Sequence, residues 1–437
     1  VSDQQTSPPR PAQLRPTPGK AQAHVVILGG GFGGLETAFD LRLIAGDRVR
    51  ITVVSDQDHF AFRPNSIYVP FGLDPERLKV PLAKPASRKG IELVRGTAEE
   101  IDTDSRVVRV GNRSVSYDFL VIATGAGMRA GEIPGLSEHA ISTWASDDMM
   151  RLGRGFQGLV DAAAENERRR VVFLVPPNNK CAGPLYEIAL MLDTWLRRKG
   201  AREGTEIVWT TCEESYIQAF GPRLHEVVAD EFERRGIDGH HDWVVERIDA
   251  DAVHYEGGEQ LEYDLLVAFP PYVASTPFAG LRADDRGFLA TDPASRRLLD
   301  HPEVFAVGDA GDFPVKQAFL AFLQADAAAG HLASEVTAGA PAASFDPISM
   351  CVMEQFDKAT FAQVPLRLTG DPERPIEVRP DAGDDYRVGS SRAWRAGKKM
   401  LGYSVPWRFS RGEPFHGGNF WRGMDLGLRA MSGVLSK

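Results

Sequence analysis

Cysteine is scarce, with three in 437 residues. That number excludes a disulfide-stapled fold and a four-thiolate zinc site, and leaves each thiol as either an inert buried side chain or a chemical group. No run of about 18 apolar residues occurs, so no membrane-spanning helix is expected. Cations are not in excess. The formal net charge is −10, which argues against a nucleic-acid binder, because phosphate contacts need a basic surface. Residues 1–20 have almost no apolar side chains but carry Pro8, Pro9, Pro11, Pro16 and Pro18, the composition of a disordered leader that does not form a secretory signal as it stands.

The composition is otherwise that of a soluble globular protein, 43% hydrophobic and 25% charged, long enough for about three domains at roughly 150 residues each. The charge is unevenly spread. Arg387 to Lys437 holds ten Lys/Arg against two acids, a local balance of +8 that leaves −18 on the rest, and includes Trp394, Trp407 and Trp421. A basic, aromatic C-terminus on an acidic body suggests a segment that meets something the body does not.

His24 to Leu43 reads as strand, turn and helix, followed by a second strand at Arg50 to Ser55, which is the opening unit of a doubly wound α/β sheet. The turn, Gly29-Gly30-Gly31-Phe32-Gly33-Gly34, fits G-x-G-x-x-G. Glycines Gly29, Gly31 and Gly34 would permit a tight turn and let a pyrophosphate approach backbone N–H groups at a helix N-terminus. Ser55 takes the usual position of the ribose-binding acid, with Asp56 beside it, and either could bond a ribose hydroxyl. A buried strand ends in Ala123-Thr124-Gly125, and another, from Val304, ends in Gly308-Asp309. A second strand, turn and helix starts at Val171, but its turn reads Pro176-Pro177-Asn178-Asn179-Lys180-Cys181-Ala182-Gly183-Pro184, with prolines and a lysine where a second dinucleotide would need glycines. Cys181 thus sits at the mouth of a helix with an apolar stripe at Leu185, Ile188, Ala189, Leu192, Trp195 and Leu196. A thiol so placed has a stabilised thiolate, although for a lone cysteine the residues alone favour an inert buried side chain.

The three dinucleotide motifs, in this order and spacing, resemble the two-dinucleotide-domain flavoproteins and imply FAD, with Asp309 at its ribityl or pyrophosphate. Cys181-Ala182-Gly183-Pro184-Leu185-Tyr186-Glu187 looks like the Cys-x-Gly-Pro-x-Tyr-Glu segment of sulfide:quinone oxidoreductases, and Cys351 falls where that family has its second redox cysteine. Phe60-Ala61-Phe62-Arg63-Pro64-Asn65 is similar to the same family, and the likeness spans about residues 24–365. It implies that hydrosulfide attacks a Cys181–Cys351 disulfide or polysulfide, that two electrons enter FAD, and that quinone removes them. Glu187 matches a family carboxylate proposed to move protons; the alternative is a first-turn acid favoured by the helix dipole. Lys316 lies near a family lysine facing the flavin. The chain departs from the family where a third cysteine is common, at Ser142 to Asp148, and Cys212 matches no redox cysteine and is expected to be structural.

In the tail, Phe420, Met424, Leu428, Met431 and Leu435 share one helical face, opposite Arg422, Asp425, Arg429, Ser432 and Ser436. With a lipid-soluble acceptor implied, this face is expected to meet a membrane, the alternative being packing on the body or a second subunit. The resulting expectation is two Rossmann-like domains plus a C-terminal membrane-associating module. The pieces are a leader (1–20), an FAD-binding domain (21–145 and 291–340), a second Rossmann-like domain without an NAD glycine loop (146–290), and a module with the second cysteine (341–437). Sulfide, quinone and a membrane surface, the cytoplasmic face of a bacterial inner membrane, are the expected partners; NAD(P)H, nucleic acid and metal are not, and a homo-oligomer is open. The competing functions are a flavocytochrome c-type sulfide dehydrogenase subunit and a non-catalytic flavin or persulfide redox sensor.

Overall fold

The computed structural model describes residues 22–337, 342 and 344–436; the leader at 1–20 lies outside them, as does part of the Pro/Ala-rich stretch 339–347. Ala23–Leu28, apolar apart from the buried His24, is a strand covered on both sides. It pairs in parallel with Val49–Ser55 and with Phe119–Ile122, and the sheet is completed by Glu92–Arg95 and by Val304–Ala306, which returns from almost 200 residues downstream. Helices Phe32–Ala45 and Ala318–Val336 lie together over one face, where the small side chains of Ala328, Ala329 and Ala333 let them approach closely.

A second five-stranded parallel sheet has the order Ile141–Ser142, Leu265–Ala268, Arg169–Val175, Thr205–Thr211, Asp238–His240. Helix Gly183–Lys199 follows the central strand, burying the expected stripe except for the half-buried Trp195 and ending at Gly200 in the left-handed conformation that glycine favours. The chain then forms an antiparallel sheet of Ile348–Glu354, Ala359–Leu368, Ile376–Val378 and Arg387–Ser391. Helices Arg392–Ser410 and Gly418–Leu435 close the C-terminal part.

The tail departs from expectation. Met424 is buried, and Phe420, Leu428, Met431 and Leu435 pack against the body beneath them, so the apolar stripe is covered by the protein's own core. Ser432, placed on the polar face by periodicity, is buried and accepts a 2.7 Å hydrogen bond from Arg387. The periodicity was correct, but a stripe does not specify what covers it. Among the described residues no helix is long and apolar enough to cross a membrane.

Candidate functional site

One cavity of about 1500 Å³ runs where the two parallel sheets and the C-terminal antiparallel sheet converge. This exceeds the roughly 300–1,000 Å³ usual for a single small ligand. Gly29, Gly31, Ser55, Asp56, Ala123, Thr124, Gly125, Cys181, Glu187, Gly308, Asp309, Lys316 and Cys351 all line it.

Gly34, inside the first helix, does not line the cavity and acts through packing: a Cβ there would lie 2.0 Å from the Gly29 carbonyl oxygen, so helix and strand could not approach. Gly29, at φ +115°, would place a Cβ 2.3 Å from the Ala123 oxygen. A Cβ on Gly31 meets nothing within 4 Å, and Gly31 opens a helix that has no side-chain cap. That combination is a cradle of backbone at an uncapped helix N-terminus, the environment a pyrophosphate requires. The Ser55 hydroxyl donates to the Gln57 carbonyl at 2.9 Å, while Asp56 is exposed into the cavity, so Asp56 is the freer ribose acceptor. Further along, burial holds the Asp309 carboxyl above its usual range against the pull of Lys316 and Arg63. Burial likewise lowers Lys316 to about 7; its ammonium donates to the Gly311 carbonyl and lies 3.7 Å from the centroid of the Phe288 ring. A glycine cradle, a ribose-side carboxylate and cations at the far end fit FAD.

The loop that replaces the second glycine motif is tied down at several points. The Asn179 side chain accepts the Cys181 N–H at 2.9 Å and donates to the Phe269 carbonyl at 2.8 Å, and Asn178 takes a left-handed φ of 62°. The strand Ile348–Glu354 brings Cys351 to the same wall, close enough that each thiol's environment includes nearby charge from the other's surroundings. Both are free thiols. Of the two readings of Cys181, the structure favours the buried, protonated thiol over the thiolate. Burial drives its thiol far above the usual range, neighbouring Cys351 and Asp309 add to this, and the hydrogen bond from Gly183 N–H at the helix start is too small to compensate. Burial, with Glu187, pushes Cys351 up to about 12, and Lys398 is the cation that opposes the shift.

Glu187 is not a first-turn acid, since its helix begins at Gly183. It is buried, burial raises its pKa, and it accepts from the Lys398 ammonium and from the Glu354 N–H at 2.8 Å. Lys398 also donates to the Val352 carbonyl at 2.6 Å, one residue from Cys351. Glu354 in turn accepts from Tyr68 at 2.7 Å and from Arg395 at 2.7 Å. Lys398 was counted with the basic tail, and nothing in its local sequence marks it: it is 211 residues from its partner, and only the docking of Arg392–Ser410 turns it inward. Cys212, expected to be structural, also lines the cavity, its thiol raised to about 12 by burial.

The same cavity has an aromatic and apolar wall. Phe32 makes an edge contact with Phe60 at 4.8 Å and with Phe322 at 5.5 Å, and Leu401, Val405, Phe415, Trp421 and Leu428 continue the wall.

The sequence profile of the family described as pyridine nucleotide-disulphide oxidoreductase matches residues 23–163 and 188–327. The chain is 34% identical to the sulfide-quinone reductase of Aquifex aeolicus over 282 residues, covering 63% of this chain and 64% of that protein, so the match spans just under two thirds of its relative. It is 22% identical over 316 residues to the mitochondrial sulfide:quinone oxidoreductase of Mus musculus, covering 68% of each. In fold it is similar to the crystal structure of the Aquifex aeolicus sulfide:quinone oxidoreductase, with a TM-score of 0.79 at 22% identity over 93% of this chain and 96% of that one.

Proposed function

Because the chain belongs to the pyridine nucleotide-disulphide oxidoreductase family, we propose that it oxidises sulfide at the Cys181–Cys351 pair and delivers the electrons to a quinone at the aromatic wall of the cavity. The chain is an oxidoreductase, and its cofactor is FAD. The observation that carries the reading is that the glycine cradle, both cysteines and the apolar wall line a single cavity. FAD, when bound, supplies a two-electron carrier between the cysteines and the quinone. Gly29, Gly31 and the start of helix Phe32–Ala45 would hold the pyrophosphate, with Asp56 at the ribose and Asp309 and Lys316 at the flavin side.

The high thiol pKa values shape the sulfur chemistry. A thiol kept protonated is a poor nucleophile, so the attacking group is the incoming hydrosulfide and the target is a sulfur bridge between the cysteines. Hydrosulfide forms a bond to one sulfur, the S–S bond breaks, a persulfide remains on that cysteine and the other leaves as thiolate. Cys351 is the better leaving group, because Lys398 opposes the rise in its pKa, while Asp309 works against charge on Cys181 in addition to the Glu187 that both thiols feel. Glu187, held on Lys398, is placed to take the proton that each sulfide brings in. Pro176, Pro177 and Pro184 carry no backbone N–H, so the second loop has few donors for a pyrophosphate and NAD(P)H is not the electron source.

Membrane contact, in this reading, falls to side chains other than the predicted stripe. Met400, Tyr403 and Trp407 project from Arg392–Ser410, and Leu426 from the outer face of the last helix, each exposed, with Arg411 stacked 4.7 Å from the Trp407 ring centroid. Aromatic rings beside cations suit the headgroup layer. The test of the function is anaerobic: FAD-loaded protein is mixed with sulfide, then with a short-chain quinone, and in parallel with NADH. Bleaching of flavin absorbance by sulfide and its recovery with quinone are expected; bleaching by NADH, or none by sulfide, refutes the assignment.

A further inference from the structure

Arg63 opens the 3-10 segment Arg63–Phe71 and lines the large cavity. Among the described residues its guanidinium has no ion pair and no hydrogen bond; it is exposed to the cavity and lies 5.6 Å from the centroid of the Trp144 ring. A guanidinium carries five donors in a fixed fork, so a cavity that leaves them all without an acceptor points to a partner arriving from solution.

Trp144 is held for this contact. Its φ is +110°, a conformation that a bulky residue adopts only where its surroundings over-determine it. Thr143, just before it, is buried and donates its N–H to the Ala268 carbonyl at 3.0 Å, and the indole packs against Phe269 at 5.5 Å. Phe269 in turn meets Tyr272 at 5.5 Å, and the Tyr272 N–H donates to the Asn178 carbonyl at 3.0 Å, which joins this aromatic row to the loop that carries Cys181. Tyr272 is 3% exposed and lines the cavity, yet its hydroxyl has no hydrogen-bond partner among the described residues. Burial, with Cys181 and Asp309 nearby, holds that phenol well above its ordinary pKa, so it remains a donor; Arg63 is the cation it feels. Two donors without acceptors, one cationic and one neutral, therefore lie on the wall that holds Cys181.

We propose that Arg63 and Tyr272 form the receiving site for hydrosulfide, from which the anion attacks the bridge sulfur on Cys181. The inference rests on the sulfide-oxidising function above and names the residues that position its substrate. Hydrosulfide needs such a site because the field at the bridge opposes it: Asp309 and Glu187 both work against negative charge at Cys181, and the chain as a whole carries −10. Lys398 is engaged by Glu187 beside Cys351, and Lys180 lies toward Asp284 and Asp285. A guanidinium is more weakly hydrated than an ammonium, which suits a large, soft, singly charged anion. No bond is made or broken at this site; it concentrates and orients the nucleophile.

The experiment is anaerobic stopped-flow bleaching of the FAD-loaded full chain with Na₂S varied, and with FAD content and thermal unfolding recorded for each variant. Arg63→Met should raise the sulfide concentration that gives half the limiting rate by about 10-fold, while the limiting rate changes by less than about 3-fold. Arg63→Lys should recover most of that loss, and Tyr272→Phe should raise the half-saturating concentration by about 3-fold. Wild-type bleaching at low sulfide should slow as NaCl is raised, and Arg63→Met should lose most of this dependence, which a merely structural defect would leave in place. A lowered limiting rate with unchanged half-saturation, or an unchanged salt dependence in Arg63→Met, overturns the proposal. Loss of FAD on Arg63→Met would assign the guanidinium to the cofactor and overturns it too. Wild type that never bleaches with sulfide refutes the function itself, whereas normal wild-type bleaching with an unaffected Arg63→Met refutes only this site.

Discussion

Replacing Lys398 by Met should convert a buried ion pair into a lone buried carboxylate. The Lys398 and Glu187 side chains are 10% and 7% exposed, and Lys398 is the cation that lowers the Glu187 pKa. Removing one member of such a pair typically costs about 3–5 kcal/mol when the remaining charge cannot escape. Glu187 can escape by binding a proton, which makes the cost depend on pH. Its folded pKa is already raised by burial, and without Lys398 it rises further. A carboxyl that is protonated when folded and ionised when unfolded makes stability fall as pH rises, by about 1.4 kcal/mol per pH unit. The difference between wild type and Lys398→Met should therefore be small near the wild-type folded pKa of Glu187. It should grow with pH above that value and level off once the variant's own Glu187 ionises. Equilibrium urea unfolding, followed by circular dichroism across neutral to alkaline pH, measures this difference. The double variant Glu187→Gln/Lys398→Met should remove the pH-dependent part. A pH-independent loss, or a double variant no more stable at high pH than Lys398→Met, would refute the coupling. The same loss takes from Cys351 the cation that restrains its pKa, so sulfide-driven flavin bleaching should slow in Lys398→Met.

Cys351→Ser should retain FAD yet lose sulfide-driven bleaching entirely, as read by flavin absorbance. Gly34→Ala should destabilise the apoprotein by about 1–3 kcal/mol through its clash with the Gly29 oxygen. Gly31→Ala has room for its Cβ, so it should leave apoprotein melting unchanged and instead lower the FAD content of purified protein. Lys316, lowered to about 7, is deprotonated when folded and protonated when unfolded above that pH, so it makes stability rise from there toward its unfolded pKa. Lys316→Met should flatten that rise in urea unfolding of the apoprotein. Tyr403→Ser/Trp407→Ser should reduce sedimentation with anionic vesicles while leaving bleaching by sulfide intact.

The first sheet and its glycine turn were legible because their signals are local: an apolar run covered on both faces reads as a strand, and Gly29, Gly31 and Gly34 serve backbone geometry within a few residues. The cysteine pair was legible only through resemblance, since nothing in the spacing of Cys181 and Cys351 requires them to share a wall. The electrostatics of Cys181 were left open between two readings for a physical reason. A helix N-terminus is visible in sequence and argues for a thiolate, but burial is not visible and at Cys181 it outweighs the helix. The tail was half legible in the same sense, its periodicity sound and its covering surface wrongly assigned.

By itself, then, the sequence determined the elements and the dinucleotide cradle, because strands, turns and amphipathic helices follow from period and from backbone freedom over short stretches. Tertiary structure alone decided which charges meet. Lys398 reaches Glu187, and His416 reaches Asp326 and Glu36, only after the C-terminal helices dock. The energy of a charge depends on its burial and on partners brought from distant parts of the chain, and neither is written in the residues beside it.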